Sequence, residues 1–178
     1  NLGASRAATS STDSDAYGDL YQWGRNTDGH QSRTSNTATG PVASGEEGSN
    51  FITNSSSPYD WLSSQDNTRW NGATKGTHDP CPSGYRVPTE TEWEAERNNG
   101  GTGYWGTGSA QNNATGAYTS TLKLPVAGYR YFSNGTLYDV GSFGGYWSST
   151  VSGTSARYLL IRSSNAGMGS YDRAYGPS

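Results

Sequence analysis

Large aromatic side chains are the main material from which this chain can build its interior. Its 178 residues include 13 tyrosines and 6 tryptophans, although the hydrophobic fraction is only 30% and the charged fraction 15%. The low charge argues against charge-driven disorder, and 25 glycines favour many turns and few long helices. We therefore expect a single domain over residues 1–178 with a core of large aromatic side chains.

Charge and hydropathy argue against two kinds of partner, nucleic acid and the membrane interior. A net charge of −3 without a basic run disfavours nucleic acid. No stretch approaches the roughly 18 to 20 apolar residues of a membrane span, so we expect no direct membrane insertion. Asn1 opens directly onto domain-like sequence, which indicates a mature or excised segment of a larger surface protein. The Ser-, Thr-, Asn- and Gly-rich composition, with only two lysines, favours an extracellular or cell-surface location.

The segment 88–97 carries the strongest helix pattern in the chain. Thr89 is a suitable N-cap and Glu92 follows three residues later, which together predict a capping box. Trp93 is the main apolar anchor of this helix, and the asparagines and glycines at 98–101 predict its end.

Residues 122–140 predict a β-hairpin, because Asn134-Gly135 lies between two β-rich runs. A two-residue loop would pair Tyr131 with Tyr138 across the strands. The same register would place Arg130 opposite Asp139, so that opposite charges face each other.

A further strand is predicted at 157–162, where the side chains alternate between two faces. We expect Leu159 and Ile161 to face the core, because Arg162 on that face would be costly. Tyr158 shares the other face, and Leu160 and Arg162 should point outward. Among the loops, residues 34–50 are small and polar, which predicts a surface loop.

Several motifs together resemble a known family. The run CPSGYRVPTETEWE at 81–94 resembles the signature of formylglycine-generating-enzyme-like domains, a branch of the C-type lectin fold. The wider set is similar to the Fibrobacter succinogenes major paralogous domain, found in surface and secreted bacterial proteins; it comprises NLGAS at 1–5, YGDLYQWG at 17–24, LPVAGYR at 124–130 and YWSS at 146–149. The resemblance spans essentially the whole chain.

This resemblance implies an α+β, C-type-lectin-like fold with short twisted antiparallel strands, one or two helices and long ordered loops. It also implies that Cys81 pairs with a second cysteine, which this sequence does not contain. Trp147, in the YWSS motif, is expected to be buried scaffold.

The C-terminal segment also resembles the variable proteins of diversity-generating retroelements. That resemblance implies a fixed scaffold at 148–158, followed by diversified or ligand-facing positions. These positions are Leu160, Arg162, Gly167, Gly169, Ser170, Tyr171, Asp172 and Tyr175. Tyrosine, serine, glycine and asparagine are also the residues of antibody paratopes. For Tyr171 and Tyr175, ligand contact and packing both stay open.

The function expected from these features is non-enzymatic binding, of receptor or adhesin type, to a protein or glycan ligand on another cell or particle. The alternative is a structural subunit of an extracellular fibre that associates with copies of itself. A fibre subunit would need an apolar complementary patch, for which Trp61, Trp70 and Trp105 are candidates.

A formylglycine-generating type of enzyme is a third, disfavoured hypothesis. Such enzymes use cysteine thiols in the C-terminal half, whereas no cysteine follows Cys81. His30 and His78 lie far apart and lack the spacing of metal ligands. We therefore expect no catalytic residues and no bound metal.

Calcium is the only cofactor with candidate ligands in the sequence. Asp13 and Asp15, or Glu46 and Glu47, offer the carboxylate oxygens that calcium prefers. No recognised calcium loop accompanies either pair, so the expectation is a domain without a cofactor.

Overall fold

Short helices and strands joined by long loops make up this chain. The computed structural model describes residues 1–70, 72–98, 101, 105 and 111–178. Its elements are a 3-10 helix at Ser14–Ala16, β1 (Thr37–Thr39), β2 (Phe51–Thr53), α1 (Glu90–Arg97), α2 (Ala114–Thr119), β3 (Tyr129–Arg130), β4 (Leu137–Tyr138), β5 (Phe143–Ser152), β6 (Ser155–Arg162) and β7 (Ala166–Asp172). The two α-helices are short and most strand pairs are antiparallel, so the chain is a small α+β domain.

The largest sheet has the order β5-β6-β7, with β6 in the centre and antiparallel pairing on both sides. Leu159 and Ile161 of β6 are fully buried on the sheet face covered by α1 and α2, as the alternation predicts. We call this the helix face. The strand predicted at 157–162 is confirmed within β6.

The other face of this sheet is less exposed than expected, which corrects the prediction for β6. Tyr158 is buried and Leu160 is half-buried, and only Arg162 is exposed. Rings from distant parts of the chain, including Trp23 and Trp70, gather with Tyr158 in a second hydrophobic cluster. The sheet therefore separates two hydrophobic clusters, and alternation along one strand cannot reveal the second. We call this the aromatic face.

Helix α1 follows the sequence pattern closely. Thr89 is the N-cap, and its hydroxyl and the Glu92 carboxylate form the predicted capping box. Trp93 is buried, and its indole N–H donates to the carbonyl oxygen of Trp147 at 2.9 Å. The helix ends at the C-cap Asn98; the rest of the predicted termination signal, apart from Gly101, lies outside the described residues.

The β3–β4 hairpin forms, but the predicted register is wrong by two residues. Tyr129 pairs with Tyr138 and Arg130 with Leu137, and the Tyr131 N–H donates to the Thr136 carbonyl. The loop therefore has four residues. Arg130 determines this difference, because it is buried and donates from Nε to the Gly135 carbonyl instead of facing Asp139.

Tryptophan indoles hold the irregular N-terminal half against the sheet. Trp61 donates to the Trp23 carbonyl at 2.8 Å, and Trp23 donates to the Ser148 carbonyl at 2.9 Å. Trp147 is buried, as expected, and donates to the Tyr21 carbonyl at 2.7 Å. These bonds satisfy backbone oxygens that no strand pairing reaches, and so they tie the loops to the sheet.

Candidate functional site

The eight predicted site residues do not form one surface. Strand register places Leu160, Gly167, Gly169 and Tyr171 on the aromatic face. Arg162 shares that face and lies with its guanidinium carbon 5.4 Å from the centre of the Phe143 ring.

Ser170 and Asp172 lie on the helix face, where both contact the scaffold. The Ser170 hydroxyl accepts from Arg157 at 2.8 Å, and Arg157 also forms an ion pair with Glu90 of α1. The Asp172 carboxylate accepts from the Ser155 hydroxyl at 3.0 Å. These two predicted positions are therefore separated by the sheet from the rest of the set.

The two glycines of β7 differ in what surrounds them. A Cβ at Gly169 would lie 2.7 Å from the ring of Tyr158, its partner on β6. A Cβ at Gly167 would meet no atom within 4 Å. Gly169 is therefore required for packing, whereas Gly167 has room for a side chain.

Tyr171 and Tyr175 belong to a stack that runs from the core to the surface. The rings of Tyr158 and Tyr171 are 4.2 Å apart and 10° from parallel, and those of Tyr171 and Tyr175 are 4.4 Å apart and 9° from parallel. Tyr158 is buried, whereas the other two rings are half-buried. Both residues therefore pack and also present area to solvent.

The β3–β4 hairpin extends this stack into a larger surface. Tyr129 lies 5.6 Å from Tyr171, and Tyr131 lies 5.4 Å from Tyr175, measured between ring centres. Tyr138 stacks on Tyr129 at 6.1 Å and is 42% exposed. We call these five residues the tyrosine surface: Tyr129, Tyr131, Tyr138, Tyr171 and Tyr175.

Sequence reasoning missed the three hairpin tyrosines as site residues. The hairpin signal at Asn134-Gly135 was visible, and tyrosines flank it on both sides. What the sequence could not indicate is that the hairpin lies beside the end of β7, since that contact joins residues about forty positions apart.

Three hydroxyls of this surface, those of Tyr129, Tyr171 and Tyr175, favour the neutral form. Burial raises the pKa of Tyr171 and Tyr175 above the ordinary tyrosine value. Burial and the charge of Asp139 raise the pKa of Tyr129. Neutral hydroxyls both donate and accept hydrogen bonds, so the surface combines apolar ring area with adaptable polar groups.

Three of the four candidate calcium ligands are engaged by arginines. Asp13 accepts two bonds from Arg6, which also reaches Asp15. Glu47 accepts from Arg69 at 2.7 Å. Within the described ranges, no three His, Cys, Asp or Glu side chains come together as a group that could hold a metal ion.

A buried guanidinium occupies the place where loop oxygens converge. Arg25 is fully buried and donates to the carbonyls of Asn50 at 2.9 Å and Gly48 at 3.0 Å. It also binds the Gln22 amide oxygen and the Asp28 carboxylate. Burial lowers the pKa of Arg25 and the charge of Asp28 opposes that change. The carbonyl oxygens of the loop before β2 therefore bind the guanidinium of Arg25, a cation that belongs to the chain itself.

The two histidines and the single cysteine are each buried or half-buried in the scaffold. His30 is buried, with its Nε2 accepting from the Gln22 N–H at 3.0 Å and its Nδ1 2.6 Å from Asp28. Burial lowers the His30 pKa to about 4. Burial and Asp79 raise the pKa of the Cys81 thiol to about 12, which opposes formation of a nucleophilic thiolate. His78 is half-buried in a loop.

A separate cleft of about 530 Å³ is lined mainly by apolar side chains, among them Trp70, Val87 and Leu124, and Cys81 also lines it. Tyr85, at its rim, is 72% exposed. The cleft is distinct from the tyrosine surface in the residues that line it.

No protein-family model, curated protein or solved structure matches the chain. In the part of the chain that the structure describes, no helix has the length and apolar character needed to cross a membrane. Function must therefore be inferred from the residues themselves.

Proposed function

We propose that this chain is a non-enzymatic ligand-binding domain of receptor or adhesin type, displayed outside the cell on a C-type-lectin-like scaffold. The tyrosine surface is the observation that carries this proposal. Five half-buried or exposed rings lie together on one side of the domain, next to the C-terminal strand that the sequence resemblance associates with ligand contact.

Rigid tyrosines suit recognition for a physical reason. Each ring offers large contact area and a hydroxyl while freezing few rotatable bonds. Here the rings already contact one another, with Tyr171 held between Tyr158 and Tyr175. Binding therefore loses little side-chain entropy, which favours affinity.

The proposed function includes diversified positions. The surroundings of each position indicate how well it tolerates substitution. Arg162 is exposed and Gly167 has free space, so substitutions at either position leave the scaffold intact. Gly169 contacts Tyr158 and should stay fixed. Deep sequencing of the locus in its source population tests this ranking. Changes concentrated at 162 and 167 support it, whereas an even distribution along 160–175 contradicts it.

The binding function itself is tested with two ligand collections, a printed glycan array and a phage-displayed peptide library. Variants Tyr138→Ala and Tyr175→Ala should weaken recovered ligands by about tenfold, as expected for truncated aromatic anchors. Tyr85→Ala is the matched control, because Tyr85 is more exposed and lies outside the tyrosine surface. Ligands that are lost equally in the Tyr85 variant, or that ignore Tyr138 and Tyr175, would refute the proposed surface.

The fibre-subunit alternative was expected to depend on an exposed apolar patch at three tryptophans. Trp61, Trp70 and Trp105 are all buried, so these three indoles form no exposed apolar patch. The prediction of a patch at these residues was wrong because each indole is enclosed by other parts of the chain; the ring centre of Trp61, for example, lies 5.3 Å from the guanidinium carbon of Arg25 and 5.0 Å from that of Arg69.

A further inference from the structure

Asp139 is an unpaired carboxylate beside the tyrosine surface. It directly follows Tyr138 and is exposed. Its backbone carbonyl accepts from Ser142 and Phe143, but its carboxylate has no hydrogen bond or ion pair among the described residues. Arg130, its expected partner, is buried and donates to the Gly135 carbonyl instead.

The backbone at Asp139 is also unusual. Its φ is 53°, in the left-handed region that non-glycine residues seldom adopt. Such outliers persist where the surroundings hold them, and they are common at binding sites. The hairpin thus places an unpaired negative charge at the edge of a ring cluster.

The rings add to this negative character. The face of an aromatic ring attracts cations through its quadrupole. Asp139 is close enough for its charge to act on the Tyr129 hydroxyl. A cation from the chain already uses this region, since the Arg162 guanidinium lies over the ring of Phe143.

We infer that the tyrosine surface recognises a protein partner through an exposed arginine or lysine, which seats against Tyr129 and Tyr138 beside Asp139. This inference rests on the proposed function. An acidic ligand would be repelled by Asp139 and by the net charge of −3. A neutral glycan would use the rings and could donate hydroxyl hydrogen bonds to the carboxylate, but it would leave the negative charge without a counter-charge.

The first test compares two peptides that differ only in charge. One is acetyl-Gly-Arg-Gly-Arg-Gly-amide, and the other carries citrulline, a neutral isostere, in place of both arginines. Binding is followed by chemical-shift changes of the tyrosine ring protons. The arginine peptide should bind at least about threefold more tightly, as a surface cation–π contact with a nearby carboxylate predicts. Equal affinity for the two peptides would overturn the inference.

Three variants test whether the preference for the arginine peptide depends on Asp139. Asp139→Asn should weaken binding of the arginine peptide by about threefold, and Arg162→Ala should strengthen it, because a competing cation is removed. Glu46→Gln is the matched control: it makes the same change in net charge from an exposed loop before β2 and should leave affinity unchanged. Loss of affinity in the Glu46 variant equal to that in the Asp139 variant would indicate general attraction and overturn the assignment.

Failure of the cationic-partner inference can be distinguished from failure of the proposed binding function. Library or array ligands that require Tyr138 but contain no basic residue, neutral glycans included, would leave the binding function standing and refute the cationic partner. A library in which no ligand requires Tyr138 would refute both.

Discussion

Gly167 and Gly169 show how strongly the meaning of a residue depends on its neighbours. Both lie on the aromatic face of β7, and both were candidates for diversified positions. One meets empty space and the other meets the buried Tyr158 ring. Glycine therefore leaves room for variation at position 167 and is required for packing at position 169.

This difference predicts opposite results for two alanine substitutions. Gly169→Ala should destabilise the domain by about 1–3 kcal/mol, because the added methyl group must displace the Tyr158 ring. Gly167→Ala should change stability by less than about 0.5 kcal/mol. Urea unfolding followed by tryptophan fluorescence measures both. Equal costs for the two variants would contradict the packing described for Tyr158.

A second prediction at this scale concerns His30 and pH. Its pKa is about 4 in the folded chain against the ordinary 6.5, so between these values the unfolded chain binds a proton that the folded chain does not. Stability should therefore fall as the pH drops from 6.5 towards 4, by about 3 kcal/mol from this residue. In the His30→Gln variant, the slope of unfolding free energy against pH should be smaller over that interval. An unchanged slope would show that His30 takes up its proton while folded.

Elements differ in how much of their structure is local. Helix α1 was predictable because its cap, its capping box and its anchor Trp93 all lie within a few residues of one another. The β3–β4 register was not, because Arg130 is fixed by Ser32 and Ser35, nearly a hundred residues earlier. The same limit applies to the site. The outward direction of Arg162 could be inferred from alternation, but the ring cluster that covers Tyr158 could not.

The cap of α1 provides the prediction at this scale. Thr89→Ala removes the side-chain acceptor of the first turn and should cost about 1 kcal/mol. Thr91→Ala is the control, since Thr91 is exposed inside the same helix and alanine has the higher helix propensity. Thermal unfolding should rank the Thr89 variant below the wild type and the Thr91 variant at or above it. The reverse order would mean that the capping box contributes nothing to stability.

On the scale of the whole domain, internal cations and indoles stabilise the loops that the structure describes. The loop before β2 closes on Arg25, and the N-terminal carboxylates bind Arg6. These contacts use oxygens that would otherwise be available to calcium.

We therefore predict that calcium has no structural role in this domain. Removing divalent ions with EDTA should leave the melting temperature unchanged, and adding calcium should not raise it. Arg25→Ala provides the contrast, because it leaves several buried oxygens without a donor and should destabilise the domain by about 3 kcal/mol or more. A melting temperature that rises with calcium concentration would show that an ion binds where these contacts leave room.

The tyrosine stack also has an optical consequence. Ring centres lead from Tyr175 to Tyr171 at 4.4 Å, to Tyr158 at 4.2 Å, and then to the buried indole of Trp147 at 6.3 Å. Over such separations, excitation absorbed by an outer tyrosine passes efficiently to tryptophan. The domain thus has a built-in fluorescent reporter: a ligand that shifts Tyr175 alters emission from an indole that it never touches.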